Sequence, residues 1–165
     1  MKVYQLHKKQ LLKTTLEDAW SFFSTPKNLN DITPSDMNFK ILGGHAEPMF
    51  AGQIIRYKIN PIANFPMSWI TEITHCVPEK YFIDEQRFGP FKFWHHMHRF
   101  TETEEGVLME DILHYSLPLG WAGRLAAGSF VQKKVKNIFE HRFEKLENLF
   151  NQKSVKPDLL KQSVV

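Results

Sequence analysis

Cysteine is almost missing from the chain, because Cys76 is the only one among 165 residues. A single cysteine excludes an internal disulfide and a zinc site built from several thiolates. Long hydrophobic runs are missing too: no apolar stretch approaches the length of about 20 residues that a membrane-spanning helix needs. Residues 1–9 lack the apolar core of a secretory signal. We therefore expect a cytoplasmic protein without a membrane span.

The chain also lacks a concentrated basic region. Its net charge is only +3, since 21 basic residues are interleaved with 18 acidic ones. Basic residues are adjacent at Lys8-Lys9 and at Lys133-Lys134, but they form no long block. Nucleic-acid-binding domains usually carry a basic patch on one face. The sequence thus predicts no nucleic-acid partner, and it gives no distinct patch for a protein partner.

Aromatic side chains are what the chain has in quantity, with fourteen Phe, four Trp and four Tyr. Such residues bring large apolar areas into a core, and they also line ligand cavities. The length is typical of one domain. We expect a single domain over residues 1–150. Residues 151–165 lose the periodic pattern and include Pro157, so we expect a frayed tail there.

Seven segments have the alternating pattern of β-strands, and short turn signals separate the last six. Connections this short favour antiparallel hairpins over crossover helices. The sequence therefore predicts one antiparallel sheet. Its predicted strands are residues 3–13, 37–42, 53–59, 67–77, 80–88, 93–103 and 107–117.

Helical patterns occur at two places. After the first strand, Thr15 and Asp18 resemble a capping box that begins a short helix, and Pro26 can open a second one. Residues 123–150 have apolar side chains at three- and four-residue steps, and their charged residues, Arg142 included, mostly take the other faces. That segment predicts one helix about 40 Å long.

This order of elements predicts an α+β fold, in which a curved seven-stranded sheet surrounds the long C-terminal helix. The helices are the elements of this sequence that can cover the apolar face of the sheet. Strongly twisted sheets curl, and a curled sheet packed against a single helix leaves a space between them. We expect the functional site in that space.

Two groups of residues carry a resemblance to a known family. One is residues 89–100 with residues 105–106, Asp111, Tyr115 and residues 117–120, and the other is residues 16–23 with residues 28–29 and 32–34. In these motifs, and over nearly the whole chain to Phe150, the sequence resembles the START/SRPBCC superfamily, and in particular an uncharacterised bacterial branch whose members are sometimes labelled cell division inhibitors. The superfamily includes lipid-transfer START domains, a birch-pollen allergen and polyketide cyclases. The resemblance implies the helix-grip fold and an internal cavity for a lipid, sterol, polyketide or quinone-like molecule.

Polar residues on the expected inner face are candidates for the site. Alternation places His96 and His98 on one face of their strand with Trp94, and Asp111 on the mostly apolar face of the next strand with Tyr115. If these faces meet, a histidine can hydrogen-bond to Asp111, because a buried carboxylate needs a partner. The pair could orient the polar head of a ligand, or it could be a structural pair that fixes the strand register.

A second polar spot is predicted at Asp84 and Gln86, either in the cavity or on a solvated edge, and Trp69 is expected to face inward as core or cavity wall. The full set of candidate ligand-binding residues is Trp69, Asp84, Gln86, Trp94, His96, His98, Asp111 and Tyr115.

The sequence gives little support for a metal site or for a catalytic nucleophile. His96 and His98 project together, and Asp111 could be a third ligand, but an isolated His-x-His pair is a weak signal. Cys76 has only the adjacent His75 nearby in sequence, and that side chain points to the opposite face of the strand. The sequence therefore predicts no metal and no cofactor.

Two functions from different classes remain open. The favoured one is a non-catalytic binding or transport protein for a small hydrophobic molecule, which requires a void of roughly 300 Å³ or more. The alternative is an enzyme of the cyclase or dehydrase type that uses a His/Asp pair for acid–base chemistry.

Overall fold

The structure of the protein is a computed structural model, and it describes residues 2–62, 65–118 and 120–152. The predicted α+β architecture is confirmed: seven strands form one antiparallel sheet, and a long helix follows the last strand. The elements in chain order are β1 (Tyr4–Leu12), α1 (Leu16–Phe23), two 3₁₀ turns (Pro26–Asn30 and Ser35–Met37), β2 (Lys40–Gly43), β3 (Gln53–Ile62), β4 (Phe65–Val77), β5 (Tyr81–Phe88), β6 (Phe93–Thr103), β7 (Gly106–Ser116) and α2 (Gly120–Leu146).

The strand order across the sheet is β1-β7-β6-β5-β4-β3-β2. Strands β2 to β7 form a meander, in which every strand pairs with its neighbour in sequence, and β1 pairs antiparallel with β7. The β6–β7 turn is tight, with Thr103 opposite Gly106. Gly106 has a φ of 134°, and a Cβ there would lie 2.2 Å from the Leu12 carbonyl oxygen. This turn therefore requires glycine.

The first short helix begins as its sequence predicts. Thr15 is the N-cap residue, and its side-chain oxygen accepts a hydrogen bond from the backbone N–H of Asp18 at 3.1 Å. The predicted start of the second strand, at residue 37, is wrong, however. Met37 ends the 3₁₀ turn Ser35–Met37 and is buried, and Asn38 adopts a left-handed conformation with a φ of 44°. Because that conformation interrupts an extended chain, β2 begins only at Lys40.

The long helix begins before residue 123, its predicted start, and it ends in a π-helical turn instead of a regular α-helical one. It runs from Gly120 to Leu146, and a π-helical turn, Glu147–Asn151, continues it. The predicted tail from residue 153 onward lies outside the described residues. From residue 128 onward, the buried positions of α2 are Gly128, Val135, Phe139, Arg142 and Leu146, and the last four follow one another at steps of three and four residues. The buried stripe therefore includes one charged residue.

The outer face of the sheet carries a three-strand ion cluster around Glu110. This buried carboxylate lies directly opposite Lys9 on β1 and Arg99 on β6. Its Oε1 is 3.0 Å from His7 Nε2 and 3.1 Å from Lys9 Nζ, and its Oε2 accepts hydrogen bonds from the Arg99 guanidinium. Burial raises the pKa of Glu110, but these donors outweigh burial and lower it to about 2.

This cluster predicts an acid-sensitive contribution to stability. Glu110→Gln should lower the free energy of unfolding at neutral pH by about 1 kcal/mol, since the half-exposed Arg99 and Lys9 are screened by solvent. A carboxylate with a depressed pKa stabilises the fold above its ordinary pKa of 4.5, and that contribution disappears as the pH falls towards about 2. Denaturant unfolding of both proteins across this range measures the difference. The exposed Glu102→Gln on the neighbouring strand β6 is the control, and a difference that stays constant across the range would contradict the assignment.

Candidate ligand-binding site

A cavity of about 400 Å³ lies between the inner face of the sheet and α2. Its walls come from α1 and the loop after it, from the sheet strands β3 to β6, and from one face of α2. Most of the lining is apolar, which follows from the alternation of β3 and β4 and from the buried stripe of the helix. Representative apolar lining residues are Phe22, Leu29, Met37, Ile55, Ile59, Ile73, Val135 and Ile138.

Exposed residues of the lining mark the mouth of the cavity. Phe130 on α2 contributes to the wall although it is 55% exposed, and Pro118, which precedes the helix, is also exposed. Lys134, one turn further along α2, lines the cavity and binds Asp36 at 2.6 Å. The mouth thus lies beside the N-terminal half of the helix.

An aromatic group forms part of the wall. The Trp69 and Trp94 rings are perpendicular with centroids 5.0 Å apart, and Phe91 lies 4.8 Å from Trp94 and 5.7 Å from Trp69. All three residues line the cavity. Edge-to-face packing of this kind holds flat apolar surfaces in fixed orientations. The group suits contact with a planar or ring-containing ligand.

A polar cluster interrupts the apolar wall, and the sheet register assembles it. Asp84 on β5 is directly opposite His96 on β6, and His98 on β6 is directly opposite Asp111 on β7. Opposite residues of an antiparallel pair share a face, and His96 and His98 are two positions apart. The four side chains therefore project towards α2, from which Arg142 completes the cluster.

Asp84 is the carboxylate at the cavity surface. Its Oδ2 lies 3.2 Å from His96 Nδ1 and 3.1 Å from His98 Nε2, and its Oδ1 accepts a hydrogen bond from Trp94 Nε1 at 3.1 Å. Asp84, His96, His98 and Trp94 all line the cavity. The aromatic group and the polar cluster are therefore joined by one carboxylate.

Asp111 lies behind the histidines. Its Oδ1 is 2.9 Å from His96 Nε2 and 3.0 Å from His98 Nδ1, which confirms the predicted contact between a histidine and this residue. Its Oδ2 is 3.1 Å from Arg142 Nε. Arg142 Nη2 also lies 3.1 Å from His98 Nδ1, so that nitrogen is placed between a donor and an acceptor. Both tautomers of neutral His98 can therefore find a partner.

Burial and neighbouring charges shift the pKa values of these groups in different directions. Burial raises the pKa of both carboxyl groups, but the histidines hold that of Asp84 below its usual range, and Arg142 with the histidines does the same for Asp111. Burial lowers the pKa of His96, but the two carboxylates outweigh it and raise it. Burial and the positive His96 lower the pKa of His98. The two neighbouring histidines are therefore shifted in opposite directions, with the pKa of His96 raised and that of His98 lowered.

The structure separates the predicted site residues into groups. Trp69, Asp84, Trp94, His96 and His98 line the cavity. The remaining three, Asp111, Gln86 and Tyr115, are not part of its lining among the described residues. Gln86 bonds to the backbone of Phe91 through both ends of its amide, Nε2 donating at 2.6 Å and Oε1 accepting at 3.2 Å. Tyr115 is buried and stacks on Tyr4 with centroids 5.4 Å apart.

Arg142 and Tyr57 are two of the site residues that the sequence reasoning missed. Arg142 was placed with the charged faces of the helix, yet it is three positions after Phe139 and four before Leu146, in phase with the buried stripe. Tyr57 lines the cavity between Ile55 and Ile59, and strand alternation alone could have found it. Burial and the charge of Asp84 raise the pKa of Tyr57, so its hydroxyl is a neutral donor.

The fold is the helix-grip fold expected from the START/SRPBCC resemblance, and comparison with solved structures confirms it. A Thermus thermophilus protein, TTHA0849, is 16% identical, with a TM-score of 0.69 over 88% of this chain and 95% of that one. Ginseng (Panax ginseng) major latex-like protein 151 is 15% identical, with a TM-score of 0.65 over 91% of this chain and 99% of that one. StfQ, a di-domain ARO/CYC protein from the steffimycin biosynthetic pathway, is 10% identical, with a TM-score of 0.67 over 88% of this chain and 50% of that one.

Comparison of the sequence with known families and proteins assigns the chain to no family. No protein-family model matches the chain, and no curated protein matches it either. Among residues 2–62, 65–118 and 120–152, no helix combines the length and the hydrophobicity that crossing a bilayer requires.

Proposed function

We propose that the protein binds a small, largely apolar molecule in the cavity under α2, with a polar group of that molecule directed towards Asp84, His96 and His98. The observation that carries the proposal is the combination of an apolar hollow and one localised polar cluster in its wall. A volume of about 400 Å³ falls within the range of roughly 300–1,000 Å³ of small-molecule sites.

The contrast between the two parts of the wall indicates how such a ligand would be held. Apolar surface supplies most of the binding free energy, because burying it removes it from water. The polar cluster would then set the orientation, since a buried hydrogen-bonding group discriminates against a ligand that leaves it unpaired. The helix-grip neighbours include a di-domain ARO/CYC protein from the steffimycin biosynthetic pathway, which supports ring-containing compounds as first candidates.

Native mass spectrometry of freshly purified protein, followed by thermal melting with fatty acids, quinones and aromatic polyketides, tests this function. A ligand at a hundred times its dissociation constant adds about 2.7 kcal/mol. For a chain of this size the melting temperature should then rise by about 5–10 °C. A protein that is consistently empty and shows no rise with any of these compounds would remove the support for a binding role.

Acid–base catalysis of the cyclase or dehydrase type is a second candidate. It is favoured by one observation: His96, His98 and Asp84 line the cavity rather than lying in solid core. A positioned proton donor or acceptor typically contributes at least about a hundredfold in rate. His96→Gln should therefore reduce turnover of an aromatic polyketide by about that factor, whereas His95→Gln on the opposite face of β6 should not. Turnover that survives replacement of both cluster histidines and Asp111 would exclude this chemistry.

A further inference from the structure

The polar cluster has the layout of an open metal-binding site. Asp84, His96 and His98 each direct one ligand atom into a common region, and the three atoms lie within 4.8 Å of one another. We propose that this set, and not the set with Asp111, binds a divalent first-row transition-metal ion such as Zn²⁺ or Fe²⁺. The proposal goes beyond binding of an apolar molecule.

Distances between the ligand atoms agree with this assignment. With metal–ligand bonds of about 2.1 Å, neighbouring ligand atoms are about 3.0 Å apart in an octahedral site and about 3.4 Å apart in a tetrahedral one. Asp84 Oδ2 is 3.2 Å from His96 Nδ1 and 3.1 Å from His98 Nε2. Two edges of a coordination polyhedron are therefore already formed, and rotation of one imidazole can adjust the third.

The outer nitrogens of both histidines make the contacts that metal-binding imidazoles need. Such an imidazole usually donates its second N–H to a carboxylate, which fixes the tautomer and aims the lone pair of the other nitrogen at the metal. Asp111 Oδ1 lies 2.9 Å from His96 Nε2 and 3.0 Å from His98 Nδ1. One carboxylate thus orients both ligands, and it is excluded from the ligand set because this oxygen faces their outer nitrogens.

Arg142 supports that carboxylate from the helix. Its Nε lies 3.1 Å from Asp111 Oδ2, yet it makes no well-directed hydrogen bond to any residue that the structure describes. In the metal-bound tautomer, His98 donates its Nδ1 proton to Asp111 and no longer accepts from Arg142 Nη2. The guanidinium is then free to turn fully onto Asp111, which would give the orphaned Nε a partner.

The open side of the site faces the cavity. All three proposed ligands line the 400 Å³ hollow, and three protein ligands leave positions for water or for an oxygen of a bound molecule. Two neutral histidines and one carboxylate are a ligand set that accepts zinc and ferrous iron. The metal would give the polar head of a cavity ligand a Lewis-acidic partner.

Titration of the tag-free, chelator-treated full chain with Co²⁺ tests the site. We expect one Co²⁺ per chain, with visible ligand-field absorption that Zn²⁺ abolishes. Asp84→Asn and His98→Gln should each remove the signal, and Asp111→Asn should weaken binding about 10- to 100-fold. His95→Gln is the matched control, since His95 lies on the same strand but faces outward, and it should bind as the native chain does.

The wild-type titration decides the matter even if a variant fails to fold. Native protein that binds no Co²⁺ and no Zn²⁺ overturns the site, and so does a folded His98→Gln chain that keeps the full signal. Loss of the signal in His95→Gln would equally contradict the assignment. The measurement needs no organic ligand, so it can fail while the cavity still binds apolar compounds.

Discussion

Asp111→Ala should lower the free energy of unfolding by about 3–5 kcal/mol, the cost of removing one partner from a buried ion pair. The substitution leaves His96 and the Arg142 guanidinium with Asp84 as the remaining carboxylate of the cluster. Since the pKa of His96 is raised in the native fold, its contribution to stability is largest below its ordinary pKa and declines as the pH rises. The loss should therefore be greater at about pH 5 than at about pH 8.

Urea unfolding followed by circular dichroism measures this loss. Asp36→Ala is the matched control, because Asp36 makes an exposed ion pair with Lys134 on the same helix, and its loss should be about 0–1 kcal/mol. A double-mutant cycle with Arg142→Met then isolates the pair, and a coupling of about 0.5–3 kcal/mol is expected for residues in contact. Strictly additive losses would show that the two groups are not coupled.

Val135→Trp should weaken the binding of an apolar probe by about tenfold or more, equivalent to about 1.4 kcal/mol. Val135 lies on the face of α2 that borders the cavity, so an indole there occupies part of the space that a ligand would use. Because the hollow can accept the larger side chain, the stability loss should remain below the roughly 1–3 kcal/mol of an overpacked core. Fluorescence titration with anilinonaphthalene sulfonate measures the affinity.

Lys136→Trp is the control for this experiment. It adds the same side chain at the next position of the helix, where the residue is exposed, and it should leave the affinity unchanged. Thr71→Phe, on the opposite wall of the cavity, should reproduce the effect of Val135→Trp. Near-ultraviolet circular dichroism excludes a loosened core, which would also bind the dye. Equal affinities in all three variants would place the dye outside the cavity.

Most of the fold could be predicted because the hydrophobic period changes sharply along the chain. Alternation in the middle and a helical period near the end determine the type of each element. The start of β2 and the end of α2 were less predictable. At Asn38 a left-handed residue breaks the strand, and at Glu147 a π-helical turn replaces the regular helix; the hydrophobic period determines the type of an element better than the residue at which it begins or ends.

In the candidate site, too, one contact could be predicted from the sequence and another could not. A two-residue turn between Thr103 and Gly106 fixes the β6–β7 register, so the contact of His98 with Asp111 could be predicted from hairpin geometry. The β5–β6 connection is longer and its sequence does not specify a register. For this reason Asp84 could be named as a candidate, but its place directly opposite His96 could not be derived.

The pairing of β1 with β7 has a consequence for how the chain reaches its native state. Tyr4 lies opposite Tyr115, whereas the hairpins of β2 to β7 join residues that are close in sequence. Loop-closure entropy disfavours contacts between distant residues, so ladders of high contact order form slowly. We expect one edge of β7 to stay unpaired until β1 docks against it. Docking of that strand is then the step at which a nascent chain is most exposed to aggregation.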